Sequence, residues 1–204
     1  MGIPAIAAYP LPRTDALPPN RVDWRPDPAR AVLLVHDMQH YFVDRFAGEP
    51  LHQAVDAIGR LRKRCADLSV PVVYTAQPGG QTPESRGLLT DFWGPGLPAD
   101  PHAESIVDSI APGPGDVLLT KHRYSAFVKT ELAALMGDRD QLVITGVYAH
   151  IGIQATACDA FMRDIQAFVV ADAVADFSAA HHRDALAYVA TRCGSVVTAE
   201  EVFA

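Results

Sequence analysis

Six short apolar runs recur along the chain, at Ala31–Val35, Val70–Thr75, Val117–Thr120, Gln141–Thr145, Ala167–Ala171 and Ser195–Thr198. Most are continuous in Val, Ile and Leu rather than alternating with polar residues. That is the pattern of strands covered on both faces in a parallel sheet. Between them the apolar spacing changes to the helical period, which predicts helices over Leu51–Ala66, Pro101–Ser109, Thr130–Met136, Ile151–Met162 and Ala179–Thr191. Ser178 stands where it can cap the last of these, and Gly194 where it can follow its C-terminus. Strands and helices alternating over short connections predict a doubly wound, three-layer α/β architecture. The length, 204 residues, suits a single domain (1–204), with the Pro-rich, irregular stretch 1–30 as an arm laid over it. One connection is out of scale. Gln77–Pro98, QPGGQTPESRGLLTDFWGPGLP, is long enough to mark a functional loop.

Composition narrows the partners more than the fold. Hydrophobic residues make up 49% and charged residues 20%, as in ordinary globular proteins. The net charge of −7 and the lack of a dense basic patch argue against nucleic acid. The one basic cluster, Arg60 to Arg64, lies inside a helical pattern and is expected to be a solvated face. No apolar run reaches the ~18 residues of a membrane span, and the N-terminus lacks signal-peptide features. Three cysteines without a CxxC spacing suggest reduced thiols and a cytoplasmic protein.

In parallel α/β sheets ligands bind beyond the carboxyl ends of the strands, so those ends carry the candidate chemistry. The first run, AVLLVHD, ends in Asp37, and the second, ending YTAQP, supplies Gln77. The third, DVLLTK, ends in Lys121, and the fourth leads into ITGVYAHIG with Tyr148 and Gly152. The long loop adds Arg86 and Trp93. A charge following directly on a buried strand is costly unless paired, so Asp37 and Lys121 form either a structural ion pair or a pocket-lining one. With the amide, the guanidinium and the aromatics on the same rim, the set suits a small anionic ligand with a ring. His36 should face away from Asp37 on strand alternation, into the core or a supporting position. His150 is expected to help position the turn. His181 and His182 are expected at a cap or on the surface rather than on a metal, and Cys158 as a small buried hydrophobe. No GxGxxG follows the first run and there is no P-loop, so nothing supports a nucleotide. A strand-to-helix turn such as ITGVYAHIG often carries a nucleophile, yet this one contains neither Ser nor Cys.

LLVHDMQHYF, YTAQP, RGLLTDFWGPG, TKHRYSAF, ITGVYAHIG and DAFMRDIQAFVVADAVADFS, in this order and spacing, resemble the isochorismatases of siderophore and phenazine pathways. The resemblance runs from GIPAIAAYPLP to the C-terminus. It implies a parallel six-stranded sheet with helices on both sides and a homo-oligomer, most often a dimer. Related amide hydrolases use an Asp–Lys–Cys triad and a metal-binding Asp/His set after the second strand. Here Asp37 and Lys121 match the first two members, Gly152 falls where the thiol would be, and Gln77-Pro78-Gly79-Gly80 stands at the metal set. The resemblance therefore implies no acyl-enzyme, no metal and no cofactor. Siderophore-pathway members often carry a C-terminal carrier domain, and a chain stopping at Ala204 is expected to lack one.

By the same resemblance, Asp37 is the general acid that protonates the methylene carbon of an enolpyruvyl vinyl ether. Gln77, Arg86, Lys121, Tyr148 and the backbone at Gly152 would hold the substrate's carboxylate and ring groups. Phe42 and Trp93 would wall the pocket, and Gly152 would leave room for the enolpyruvyl group. A non-proline cis peptide is expected at Val147–Tyr148. The implied substrate is a chorismate-derived dianion, isochorismate or 2-amino-2-deoxyisochorismate. An amide hydrolase and a non-catalytic binding protein of the same fold are the alternatives.

Overall fold

The apolar runs pair side by side into one parallel sheet in the computed structural model, which describes residues 2–204. The strands are β1 (Ala31–His36), β2 (Val72–Ala76), β3 (Val117–Thr120), β4 (Gln141–Val147), β5 (Gln166–Ala175) and β6 (Gly194–Val197), in the order β3-β2-β1-β4-β5-β6. The helices are α1 (His40–Val43), α2 (Leu51–Asp67), α3 (Pro83–Arg86), α4 (Leu89–Trp93), α5 (Pro101–Glu104), α6 (Leu132–Met136), α7 (Gln154–Phe161) and α8 (Ala179–Arg192).

Every residue of β1 is buried, because side chains pointing either way meet a helical layer. Leu33 and Val35 join one core with Ile58 and Leu61 of α2. Val32 and Leu34 join the other, with Ala157 of α7 and Leu186 and Val189 of α8. Each buried Leu or Val side chain in these layers stabilises the fold by about 1.5–3 kcal/mol. The chain winds outward from β1 through β2 to β3, then resumes on the far side of β1 with β4. The crevice at this reversal, between the carboxyl ends of β1 and β4, is where such sheets bind ligands.

The N-terminal arm is tied to the domain at two places. Ile6 is buried and bridges Phe46, and the Asn20 amide makes two hydrogen bonds to the Val196 backbone on the outer strand β6. Ser178 caps α8, its hydroxyl accepting from the His181 amide. Several elements differ from the sequence reading. The helix expected over Pro101–Ser109 breaks after Glu104, because the 105–107 backbone pairs with Met38 and His40 instead. The long loop holds two short helices, α3 and α4. β5 runs on to Ala175 through the polar Asp172, whose carboxylate accepts from the Ala199 amide. Gly194 opens β6 rather than ending α8 in a left-handed turn; a Cβ there would lie 2.7 Å from the Ala167 carbonyl oxygen.

The basic cluster on α2 is not simply solvated. Arg62 pairs with Asp116 at 3.2 Å and Arg64 donates to the Val202 carbonyl at 2.6 Å, tying α2 to two other segments. Cys158 is half-buried, with its sulfur 3.7 Å from that of Cys193, and all three cysteines are free thiols. His182 is neither cap nor surface: it is fully buried between the Tyr9 hydroxyl and the Ala171 carbonyl. Among the described residues no helix is long and apolar enough to cross a membrane.

Candidate active site

β1 delivers Asp37 into the crevice on a left-handed backbone (φ 51°), a conformation that Asp tolerates better than most residues. Its carboxylate is almost fully buried and fully partnered. One oxygen accepts from the Thr75 hydroxyl at 2.6 Å. The other accepts from Lys121 Nζ at 2.8 Å and the Gln77 amide at 3.3 Å. Burial pushes the Asp37 carboxyl up. The charges of His36 and Lys121, with the hydrogen bonds from Lys121 and Thr75, outweigh it and hold the group below the usual carboxylate range. Lys121 also donates to the carbonyls of Arg123 and Tyr124, so its three N–H bonds already have acceptors. It orients Asp37 and lines the cavity with its donors engaged inside the chain.

The long loop is pinned to β1 through Gln39, whose side chain makes two hydrogen bonds to the backbone of Gln77. Further along, the loop folds Arg86 inward until it is only 4% exposed. Its Nε donates to the Gly94 carbonyl at 2.6 Å, and Nη1 is buried with no partner among the described residues. Gly96 (φ +81°) makes this possible, since a Cβ there would stand 2.2 Å from Arg86 Nη1. A buried guanidinium nitrogen without an acceptor is costly in an empty site and is matched by an anionic one. Trp93, from the same loop, donates its indole N–H to the Tyr124 hydroxyl at 2.7 Å.

The ITGVYAHIG stretch ends β4 and turns through one wide helical turn (Ala149–Ile153) into α7. The Val147–Tyr148 peptide is cis, as expected. Tyr148 donates its hydroxyl proton to the Phe42 carbonyl at 2.6 Å, so its ring walls the site but its proton is engaged. Gly152 lines the cavity with its backbone, while the direction a side chain would take from it is filled. A Cβ there would fall 2.3 Å from Cε1 of His36, whose ring occupies that volume. His150 does help position the turn: its ring and its backbone N–H both bond the buried Asp176 carboxylate. His181 is exposed in the capped first turn of α8, as expected, and stacks on His150 at 4.4 Å. Two His/Asp/His clusters, His150–Asp176–His181 and His40–Asp44–His102, bring potential ligand atoms together outside the cavity described next.

Asp37, Phe42, Gln77, Arg86, Trp93, Lys121, Tyr148 and Gly152, all anticipated from the sequence, line one cavity. With its open mouth included it holds about 540 Å³ of non-atom space, and the enclosed part is far smaller. The sequence reading missed Thr75, the one aliphatic hydroxyl in the run VVYTA, and Gln39, which anchors the loop. It also missed Phe177, 4.6 Å from the Tyr148 ring. Phe177 follows the true end of β5, so a strand ended at Ala171 hides it. Ile3 from the arm completes the lining.

Fold and site together define a three-layer α/β hydrolase whose strand-end cavity holds a buried Asp–Lys pair and no side-chain nucleophile at the β4–α7 turn. The isochorismatase domain profile matches residues 31–201. Isochorismatase from Bacillus subtilis is 53% identical over 206 residues, 99% of this chain and 66% of that protein, so this chain spans about two thirds of it. Phenazine biosynthesis protein PhzD1 from Pseudomonas aeruginosa is 55% identical over 204 residues, 98% of each chain. A solved cysteine hydrolase from Pseudomonas syringae pv. phaseolicola shares the fold, with a TM-score of 0.78 over 95% of each chain at 24% identity. The chain belongs to the isochorismatase family and is an enzyme of the hydrolase class.

Proposed function

We propose that this enzyme hydrolyses the enolpyruvyl vinyl ether of isochorismate or 2-amino-2-deoxyisochorismate, with Asp37 as general acid and no covalent intermediate. The observation that carries the reading is the pairing of a buried acid with an unpaired buried cation. The Asp37 carboxyl and Arg86, with its orphaned Nη1, line the same aromatic-walled cavity. Vinyl ethers hydrolyse by protonation at the terminal carbon, which needs an acid and a place for an anion rather than a nucleophile.

Asp37 gives its proton to the methylene carbon, and the carbon bearing the ether oxygen becomes an oxocarbenium ion. Water adds to that carbon and loses a proton. The hemiketal then breaks the bond between its carbon and the ether oxygen, which stays on the ring and takes up the hydroxyl proton, giving pyruvate and a dihydrodiol or its amino counterpart. General acid catalysis of this kind supplies roughly 10²–10⁴-fold, and the remainder comes from positioning and from the anionic surroundings of the cation. In the free protein, Lys121 and Thr75 favour the Asp37 carboxylate. A bound dianion beside it favours the acid, so substrate loading supplies the protonated state. Arg86 takes a substrate carboxylate, Gln77 a polar group near Asp37, and Phe42, Trp93, Tyr148 and Phe177 the ring.

No metal or cofactor takes part in this scheme, and the physiological unit is a homodimer; both are proposals that rest on the family resemblance. The test is pyruvate release from isochorismate and, in parallel, from its 2-amino analogue, with Asp37→Ala as control. Release that Asp37→Ala abolishes supports the reading, and the ratio of the two kcat/KM values assigns the substrate. Release that survives Asp37→Ala, or no release from either compound, overturns it.

A further inference from the structure

The two glycines of ITGVYAHIG pack on one residue, Gly146 on its backbone and Gly152 on its side chain. A Cβ at Gly146 would lie 2.1 Å from the His36 carbonyl oxygen, and one at Gly152 would lie 2.3 Å from His36 Cε1 and 2.9 Å from Nε2. The β4 strand end therefore packs on the His36 backbone through Gly146 and the turn packs on its imidazole through Gly152, leaving His36 1% exposed. The ring is anchored as well as enclosed. Nδ1 lies 2.8 Å from the Val147 carbonyl, to which it donates, while Nε2, unprotonated in that tautomer, packs 3.3 Å from the Tyr124 carbonyl in the segment that follows Lys121 without a hydrogen bond. Asp37 is 3.8 Å from Nδ1. One side chain thus touches the β4–α7 turn, the Lys121 segment and the neighbourhood of the proposed acid.

We propose that His36 is the positioning and specificity-determining residue of this site. Its imidazole takes the volume that any side chain at position 152 would need, and its Nδ1–H holds the Val147 carbonyl so that the turn is fixed against the Asp37 strand. Two consequences follow. The turn cannot present a nucleophile while His36 is in place, so the cavity is committed to proton transfer by Asp37. And Gly152 and His36 form one unit: a side chain at 152 is tolerated only when the ring is gone. The kinetic consequence rests on the vinyl ether reading, whereas the packing and the tautomer do not.

The test is a double-mutant cycle over Gly152→Ala and His36→Val, read in Tm and in kcat/KM, with His36→Asn as a third variant. Contacting residues sharing one space show coupling of up to about 100-fold. Gly152→Ala alone is expected to lower kcat/KM by about 100-fold and to lower Tm. In the His36→Val background, the same substitution is expected to change kcat/KM by less than about 3-fold and to leave Tm unchanged or higher. His36→Asn keeps a donor near the Nδ1 position. It should recover most of the kcat that His36→Val loses, with KM affected less than kcat. Additive effects in Tm overturn the packing claim, and equal kcat for His36→Asn and His36→Val overturns the positioning claim. Nitrogen NMR of the wild-type imidazole at neutral pH should show the Nδ1–H tautomer, and an Nε2–H tautomer overturns the Val147 contact without depending on any variant folding. If the wild type releases no pyruvate, the hydrolysis reading falls while the Tm cycle and the tautomer still decide the role of His36.

Discussion

Asp37 and Lys121 sit at the ends of two strands that are not neighbours, β1 and β3, and meet across the end of β2 with 2.8 Å between Oδ2 and Nζ. The pair is buried and completed by Thr75, so it behaves as one unit. Removing one partner leaves an uncompensated buried charge, which typically costs 3–5 kcal/mol. Lys121→Met should therefore destabilise the protein strongly, and Asp37→Asn added to it should restore part of the loss. Denaturant melts of the two single variants and the double variant measure this. Fully additive losses would show that the two groups do not act as a pair.

Asp37→Asn keeps the shape of the site but removes the proton donor. Turnover should fall by about 10²–10⁴-fold while ligand affinity changes little. Pyruvate release and the affinity of a non-hydrolysable analogue, measured on the same preparation, separate the two effects.

The acid role fixes a sign for pH dependence. The free Asp37 carboxyl is held low, so kcat/KM should fall as pH rises. Bound substrate raises the same group, so the midpoint for kcat should lie at higher pH than that for kcat/KM. Thr75→Val removes a hydrogen bond that favours the ionised form. It should move the kcat/KM midpoint upward. A pH–rate profile of both proteins decides it, and a downward move would contradict Asp37 as the acid.

Arg86 contributes binding rather than chemistry in this arrangement. Replacing it with Met removes the unpaired Nη1 and should raise KM by about 10- to 100-fold, the equivalent of one charge-assisted hydrogen bond, with a smaller change in kcat. Lys at this position should rescue poorly, because its ammonium cannot hold Gly94 and a ligand in the same fork.

His182 gives the fold an acid-sensitive point away from the site. Burial lowers its pKa from 6.5 to about 4, against opposing contributions from Asp176 and the Ala171 carbonyl. The unfolded chain binds a proton near its ordinary pKa and the folded chain does not. The stability this group contributes is therefore complete above about pH 6.5, falls as pH drops toward about 4, and levels off below that. The loss amounts to about 3 kcal/mol. Urea melts across this range should show that slope, and His182→Gln should flatten it.

Much of the site was legible because strand ends are legible. A continuous apolar run that stops at a charge, as AVLLVHD stops at Asp37, locates both a buried strand and the residue it presents. Hydrophobic periodicity acts locally, so it also marked α2 and α8 closely. Thr75 and Gln39 escaped for the opposite reason. Their roles are hydrogen bonds to residues 38 positions away, and no local pattern encodes such a partner. Phe177 escaped because the polar Asp172 looked like the end of β5 until its carboxylate found the Ala199 amide.

The sequence by itself determined the layered α/β class, the strand ends that carry Asp37 and Lys121, and the absence of a nucleophile at position 152, since each depends on residue type and local spacing. Only the tertiary structure decided what the absence means. From the sequence, Gly152 read as room for a ligand. In the fold Gly152 does line the cavity, but the volume a side chain at 152 would need belongs to His36, because the strand bearing His36 and the turn bearing Gly152 come from opposite sides of the switch point, and only their packing sets the distance between them. The same holds for Lys121 and Arg86. Both are cations at the rim, yet the folded chain exhausts the donors of one and leaves a buried donor of the other free, a difference created by which carbonyls the chain brings within reach.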